Sequence, residues 1–495
     1  MLSALTSVLA GLLLLAAPRD PGAAAAASPQ AAAAPTRADL KATLDGFLAV
    51  KPLAKATIGV VVIDVATGEE LYTHEPDAAV NPASNTKVVT TAAALSILGP
   101  EHRFVTRLYA GKGTRKAGSI DGDLYLKGGG DPWLVTADLY ELAGDLRALG
   151  ITKVNGRIVV DSSAFDRDEL PPAFDQKQEF AAFRAPSSAT SVNFNTYVVW
   201  ARPGDDGKSA ALVLDPPTSL VTVASAITLE PGRRNRVTVE RGTPAKGVLE
   251  ALTFAGTLGV DAGAVSYRYP IAEPTLYAGD VLRAVLEQRG IKVQKSTIVA
   301  GTAPKDAEEV AMHASQPLSV LCRGVNKLSN NFMAEQILKS LDAGPDHPAT
   351  FAGGLDRVRQ FLDGLGIAGE GLRLGNGSGL YDANRVTARQ LARLLAAVHG
   401  DFRISADFLA SLPILGADGT LRSRLSESQA ARYVRAKTGT LDEASSLAGY
   451  AGTVGHPPLA FAILIGDIDR GKLKAAREAQ NQIAEHLARL AAAPR

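Results

Sequence analysis

The chain has 495 residues, of which 46% are hydrophobic and 21% charged, and its formal net charge is +1. That length exceeds one ordinary compact domain and allows a sizeable core, so two or three domains, or one domain carrying a large insertion, are expected. The near-neutral balance supplies no bulk field for a polyanion, which excludes nucleic acid as an expected partner.

Residues 1–18, "MLSALTSVLAGLLLLAAP", form an apolar run too short for an ordinary membrane span, and a stretch rich in alanine and proline follows to residue 37. This order predicts a secretory signal and a tether, hence export to the periplasm or another extracytoplasmic space. No Lys or Arg precedes the run, so an uncleaved membrane anchor is the alternative. A single cysteine, Cys322, excludes an intramolecular disulfide, and its surroundings "LSVLCRGVNKL" predict a helix with the thiol buried.

From Thr57, "TIGVVVIDVATGEELYT" predicts two strands joined at Ala66-Thr67-Gly68. After Pro82, "SNTKVVTTAAALSILGP" has apolar residues at helical spacing and a Gly99-Pro100 stop, which puts Ser84 at or near a helix N-terminus. Residues 105–315 differ in texture. Segments such as "DGDLYLKG", "GRIVVDSSAF", "NFNTYVVWARPG" and "NRVTVERG" predict short strands between Gly and Pro turns, with few long helical patterns and no fixed-period repeat.

Helical periodicity returns in "LSVLCRGVNKLSNNFMAEQILKSL" and "TARQLARLLAAVHG". Then "RYVRAKTGTL", "SSLAGYAGTV" and "PLAFAILIGD" predict an antiparallel meander, and the amphipathic "GKLKAAREAQNQIAEHLARLAA" predicts a helix packed on it. The expected fold is therefore α+β: one domain made of residues 38–104 and 316–495, split by a β-rich insertion at 105–315.

Ser84 and Lys87 lie three residues apart, on one face of the predicted helix. A serine hydroxyl needs an adjacent base, and lysine serves as one only where burial, a helix N-terminus or a second cation lowers its pKa. Lys437, in the sequence Lys437-Thr438-Gly439, is the candidate second cation, and Gly439 fits a close backbone approach by substrate. Ser-x-x-Lys and Lys-Thr-Gly each occur once. Ser-x-Asn has two candidates, Ser329-Asn330-Asn331 and Ser191-Val192-Asn193; the first is preferred because it lies between helical patterns where the split domain resumes.

Together the three motifs resemble the signature of penicillin-binding proteins and serine β-lactamases. The long insertion, with "DLYLKGGGDPWL", "SVNFN", "NGSGL" and "LPILGADGTLRSRL", resembles the class C low-molecular-mass group, the D-alanyl-D-alanine carboxypeptidase/endopeptidases, over everything after the tether. The resemblance implies a penicillin-binding domain with an antiparallel sheet flanked by helices, and two subdomains in the insertion. It further implies that Ser84 attacks the carbonyl between two D-alanines of a peptidoglycan stem peptide while Lys87 takes its proton. Ser329 would relay a proton to the leaving amine, Asn331 would bind the substrate amide, and Lys437 with Thr438 would hold the terminal carboxylate. The backbone N–H groups of Ser84 and Thr440 would form the oxyanion hole, and β-lactams would acylate the same serine as covalent inhibitors. Asp161 and Phe165 in "VVDSSAFD" stand where the group places residues that meet the peptide's diamino acid; an aspartate capping a turn is the alternative for Asp161. Asn330 replaces a common aspartate, which should alter local hydrogen bonding rather than reaction type.

Two other functions share these features: a β-lactamase, because the motifs do not encode the rate of deacylation, and a non-catalytic wall-binding or scaffold protein. "NGSGL" lacks the glycine a nucleophile elbow requires before Ser378, and "GGGDP" reads as a turn or backbone nest without ligand. The seven histidines are scattered without zinc-like spacing, so neither metal nor cofactor is expected.

Overall fold

The computed structural model describes residues 37–491, so the predicted signal and nearly all of the tether lie outside the described residues. Helix α1 (Arg37–Leu48) leads into the predicted hairpin, strands Thr57–Asp64 and Glu70–His74, with Gly68 at φ +76° in the turn. The turn carrying Ser84 and helix α2 (Thr86–Leu98) follow. Far along the chain, Val434–Leu441, Ala444–Thr453 and His456–Gly466 form the predicted meander. Its last strand pairs with Thr57–Asp64, so the ends of the described chain meet in one five-stranded sheet. Val434–Leu441 is the strand at one edge of that sheet.

The segment between has a core of its own, running from Leu108 to Ala311. Its main sheet has five strands, in the order Ile298–Ala300, Ile158–Asp161, Leu124–Lys127, Val105–Ala110 and Glu308–Ala314. Two three-stranded sheets, centred on Thr196–Pro203 and Glu250–Gly259, build the rest of its β structure together with a small four-stranded sheet. The expectation of little helix here is corrected by α3 (Thr136–Ala148) and α4 (Pro274–Gln288), which pack on the main sheet. Leu139, Leu142, Ala143 and Leu146 are buried at helical spacing, but this one-face pattern is short and enclosed by strand-forming text.

Five helices and a short one complete the first domain: α5 (Leu318–Leu328), α6 (Asn331–Ser340), α7 (Phe351–Gly364), α8 (Ala388–Gly400), α9 (Ser405–Ser411) and α10 (Leu473–Ala491). The alternation of strand side chains sorts the core into two layers. Val60 and Val62 join Leu40, Leu44, Ile483 and Leu487 of α1 and α10. Val61 and Ile63 face the other way, toward a layer that includes Val88, Leu321, Ile337 and Leu395 of α2, α5, α6 and α8. Cys322 is buried in that second layer. Among the described residues no helix is long and apolar enough to cross a membrane.

Candidate active site

Ser84 stands in the 3-10 turn Ala83–Asn85 that opens α2. Ala83 has φ +49°, a conformation an L-residue holds only when neighbours enforce it. Here the Ala83 N–H donates to Asn81 Oδ1 (3.0 Å), Asn85 Nδ2 donates to Ser446 Oγ (2.7 Å), and Ser446 Oγ donates to the Pro82 carbonyl (2.6 Å). The turn is thus braced against the central sheet. Gly439 makes the fit possible: a Cβ there would stand 2.2 Å from Ser446 Oγ and 2.6 Å from the Pro82 carbonyl oxygen. Close approach by the nucleophile's own turn is thus one reason for this glycine, beside the expected approach by substrate.

Lys87 is completely buried. Its Nζ lies 3.1 Å from Ser84 Oγ, 2.7 Å from Asn331 Oδ1 and 2.6 Å from the Ser378 carbonyl oxygen. The last two partners only accept hydrogen bonds, so they take both N–H bonds of a neutral amine and leave its lone pair facing the Ser84 hydroxyl. Burial pushes the Lys87 pKa down to about 7, against the attraction of Glu335. Glu335 is itself buried, is raised chiefly by burial, and accepts the N–H groups of Gly377 (3.0 Å) and Ser378 (2.7 Å).

Lys437, also buried, donates to Ser329 Oγ (2.8 Å) and to the Thr438 carbonyl (2.7 Å). Burial first, and the charge of Lys87 second, hold Lys437 well below the ordinary lysine range. Of the causes expected for a lowered Lys87, burial leads, and the helping role expected of Lys437 is not among those that act on it. Ser329 caps the end of α5 in the left-handed region (φ +55°), and Asn330 Oδ1 accepts the Met333 N–H (3.0 Å) as the N-cap of α6. An aspartate at 330 could cap the helix in the same way, so the asparagine keeps the cap without the charge.

On the edge strand the Val434 carbonyl accepts from Leu415 and the Ala436 N–H donates to Pro413, both away from the neighbouring strand. By the alternation of an antiparallel ladder, Thr438 and Thr440 turn their backbone groups the same way, toward the open edge. Thr440 is exposed, and Thr438 Oγ1 donates to Thr420 Oγ1 (2.8 Å). A cleft of about 810 Å³, lined by Asn81, Lys177, Tyr381, Thr440 and Asp442 among others, opens beside this edge. A larger cleft of about 990 Å³ runs among Asp166, Glu169, Arg241 and Phe351 and includes no motif residue.

Asp161 and Phe165 make their contacts within the insertion and against α6, and among the described residues none is with Ser84. Asp161 is fully buried, its oxygens accepting the N–H groups of Ser163 (3.0 Å) and Ala303 (2.9 Å), which is the turn-capping alternative. Phe165 packs under Lys339, eight residues beyond Asn331 on α6, or about 12 Å along the helix. The rival Ser191 is buried and donates to the Ser188 carbonyl (2.7 Å) inside the insertion. Sequence reasoning missed Glu335 and the Ser378 carbonyl. A glutamate four residues after Asn331, on the same face of an apolar helix, was the available signal for the first.

The D-Ala-D-Ala carboxypeptidase 3 (S13) family matches residues 40–490. A D-alanyl-D-alanine carboxypeptidase of Actinomadura sp. (strain R39) is 35% identical over 86% of this chain and 80% of its own length. A carboxypeptidase of Mycobacterium tuberculosis is 28% identical over 90% and 84% respectively. Penicillin binding protein 4 of Haemophilus influenzae has the same fold, with a TM-score of 0.74 at 22% identity over 90% of this chain and 98% of that one.

Proposed function

The chain belongs to the D-Ala-D-Ala carboxypeptidase 3 (S13) family, and from that premise we propose that it cleaves peptidoglycan stem peptides after D-alanine through an acyl-Ser84 intermediate. Ser84 Oγ attacks the carbonyl carbon between two D-alanines as its proton passes to the Lys87 lone pair. The Ser84 and Thr440 N–H groups receive the developing oxyanion, the charge for which preorganised donors matter most. Collapse expels the D-alanine amine, which receives the proton from Lys87 by way of Ser329 and so returns the lysine to its neutral form, while Lys437 and Thr438 hold its carboxylate and Asn331 binds the amide of the acyl half. Water, activated by Lys87, then frees the shortened peptide. β-Lactams enter by the same attack and remain on Ser84 as covalent inhibitors. Cleavage of a D-Ala–diamino acid cross-link uses the same groups, so carboxypeptidase and endopeptidase action share one site.

The observation that carries this reading is the Lys87 amine, with two acceptors fixing its N–H bonds and Ser84 Oγ 3.1 Å away. The test is D-alanine release from a pentapeptide ending in D-Ala-D-Ala. Ser84→Ala is expected to lose at least ~10⁴-fold in rate, the scale of losing a nucleophile; equal rates in the two proteins reject the assignment. Export to the peptidoglycan side of the membrane is part of the proposal and is supported by the apolar run at residues 1–18. Enzyme found only in the cytoplasmic fraction of the producing cell contradicts it.

A further inference from the structure

On the stem-peptide reading of the site, the substrate's terminal carboxylate needs hydrogen-bond donors, and the residues assigned to it have few left. Lys437 is completely buried, and two of its N–H bonds go to Ser329 Oγ (2.8 Å) and the Thr438 carbonyl (2.7 Å). Even as an ammonium it has one to spare. Thr438 Oγ1 carries a single hydrogen, which it gives to Thr420 Oγ1 at 2.8 Å. Of the two hydroxyls joined by this bond, Thr420's is the one whose hydrogen is unspent. Thr420 is exposed, whereas Thr438 is half-buried.

The fold holds Thr420 in place from two sides. It lies in the 3-10 turn Gly419–Leu421. Asp418, just ahead of that turn, pairs with Lys327 of α5, two residues before Ser329, and its Oδ1 accepts the Ile414 N–H (2.8 Å). Gly419 has φ +57°, and a Cβ there would stand 2.9 Å from the Lys327 carbonyl oxygen, so glycine is what lets the turn lie against the end of α5. On the other side the Leu415 N–H donates to the Val434 carbonyl and the Ala436 N–H to the Pro413 carbonyl, and Ile414 bridges Arg435. These bonds tie the segment to the edge strand that carries Lys437 and Thr438.

We infer that Thr420 is a further substrate-binding residue, whose hydroxyl donates a hydrogen bond to the terminal carboxylate of the leaving D-alanine and so contributes to a preference for a free C-terminus. The inference rests on the acyl-Ser84 reading and adds a residue to it. A donor facing a carboxylate makes a charge-assisted bond, about twice as strong as one to a neutral oxygen. The bond accepted from Thr438 polarises the Thr420 O–H further toward its own acceptor. Nothing in "LPILGADGTLRSRL" singles out this threonine, because only folding sets it against Thr438.

The test is kcat/KM on a pentapeptide ending in D-Ala-D-Ala and on the same peptide closed as a C-terminal carboxamide, measured for the full chain, Thr420→Val and Thr420→Ser. Thr420→Val is expected to lose ~10–100-fold on the free carboxylate, the worth of a hydrogen bond to a charged group, and less than ~10-fold on the carboxamide, where the bond is neutral. Thr420→Ser keeps the hydroxyl and should restore the difference between the two peptides. In a Thr438→Val background, Thr420→Val should cost again, because Thr420 meets the carboxylate itself; no added loss there assigns it a role through Thr438 alone and overturns the contact. Wild-type kcat/KM of Thr420→Val on the free carboxylate, or the same fold-loss on both peptides, overturns it as well while leaving the acyl-Ser84 reading intact. A wild type that cleaves neither peptide rejects that reading and the inference together.

Discussion

Asn331 Oδ1 accepts a 2.7 Å hydrogen bond from Lys87 Nζ, joining segments 244 residues apart in sequence. Together with the Ser378 carbonyl, this bond sets the direction of the lysine lone pair, so the second motif orients the base of the first. The arrangement works only while the amine is neutral, which makes its protonation measurable.

The first expectation concerns pH. Lys87 has its pKa lowered to about 7 by burial, so its reactive neutral form is lost as pH falls through that value. The rate constant for acylation by benzylpenicillin should fall about tenfold per unit below the midpoint and level off above it. A profile flat from about pH 5 to about 9 contradicts a titrating lysine base.

Asn331→Asp should move that midpoint upward. A carboxylate in the place of an amide oxygen 2.7 Å from Nζ favours the ammonium form, and an opposite charge at such range shifts a pKa by about 1–3 units. Acylation at neutral pH should drop at least ~10-fold and recover in alkaline buffer. An unshifted midpoint means Asn331 does not touch the base.

Glu335→Gln should move it the other way, since the variant removes the one charge that favours Lys87 protonation. A carboxamide also has a single acceptor oxygen where Gly377 and Ser378 present two N–H donors. Denaturant unfolding should show a loss of about 1–3 kcal/mol, the cost of leaving a buried donor unmet. A variant with unchanged stability and unchanged pH profile counts against the role given to Glu335.

Gly439→Ala tests the fit between edge strand and turn. Its Cβ would meet Ser446 Oγ at 2.2 Å and the Pro82 oxygen at 2.6 Å, so the strand must withdraw. Overpacking of this kind costs about 1–3 kcal/mol. A displacement of ~1 Å in a catalytic group costs on the order of 10²-fold in rate. Wild-type acylation in this variant refutes the packing account.

Much of the first domain was legible because its elements carry strong local patterns: the valine run at 60–62, the stop at Gly99-Pro100, and the meander at 434–466. Ser84, Lys87, Ser329, Asn331 and Lys437 could be singled out because a motif fixes residue type and spacing, and folding then joins them in two hydrogen-bonded groups, Ser84–Lys87–Asn331 and Ser329–Lys437. What stayed hidden depends on tertiary placement. Ser378 contributes a carbonyl that any residue has, and Glu335 looks like an ordinary helix glutamate until α6 turns it inward. Asp161 was assigned by analogy of position, which says nothing about the Ser163 and Ala303 amides that occupy its oxygens. The helices of the insertion were under-read because the one-face patterns of α3 and α4 stand among many strand-forming segments.

The most direct test of the central claim is the intact mass of the protein after benzylpenicillin, with peptide mapping and Ser84→Ala as control. The account predicts one penicilloyl group per chain, on the peptide containing Ser84, and none in the variant. An adduct that persists in Ser84→Ala, or a wild type that neither gains mass nor consumes the drug, would contradict it.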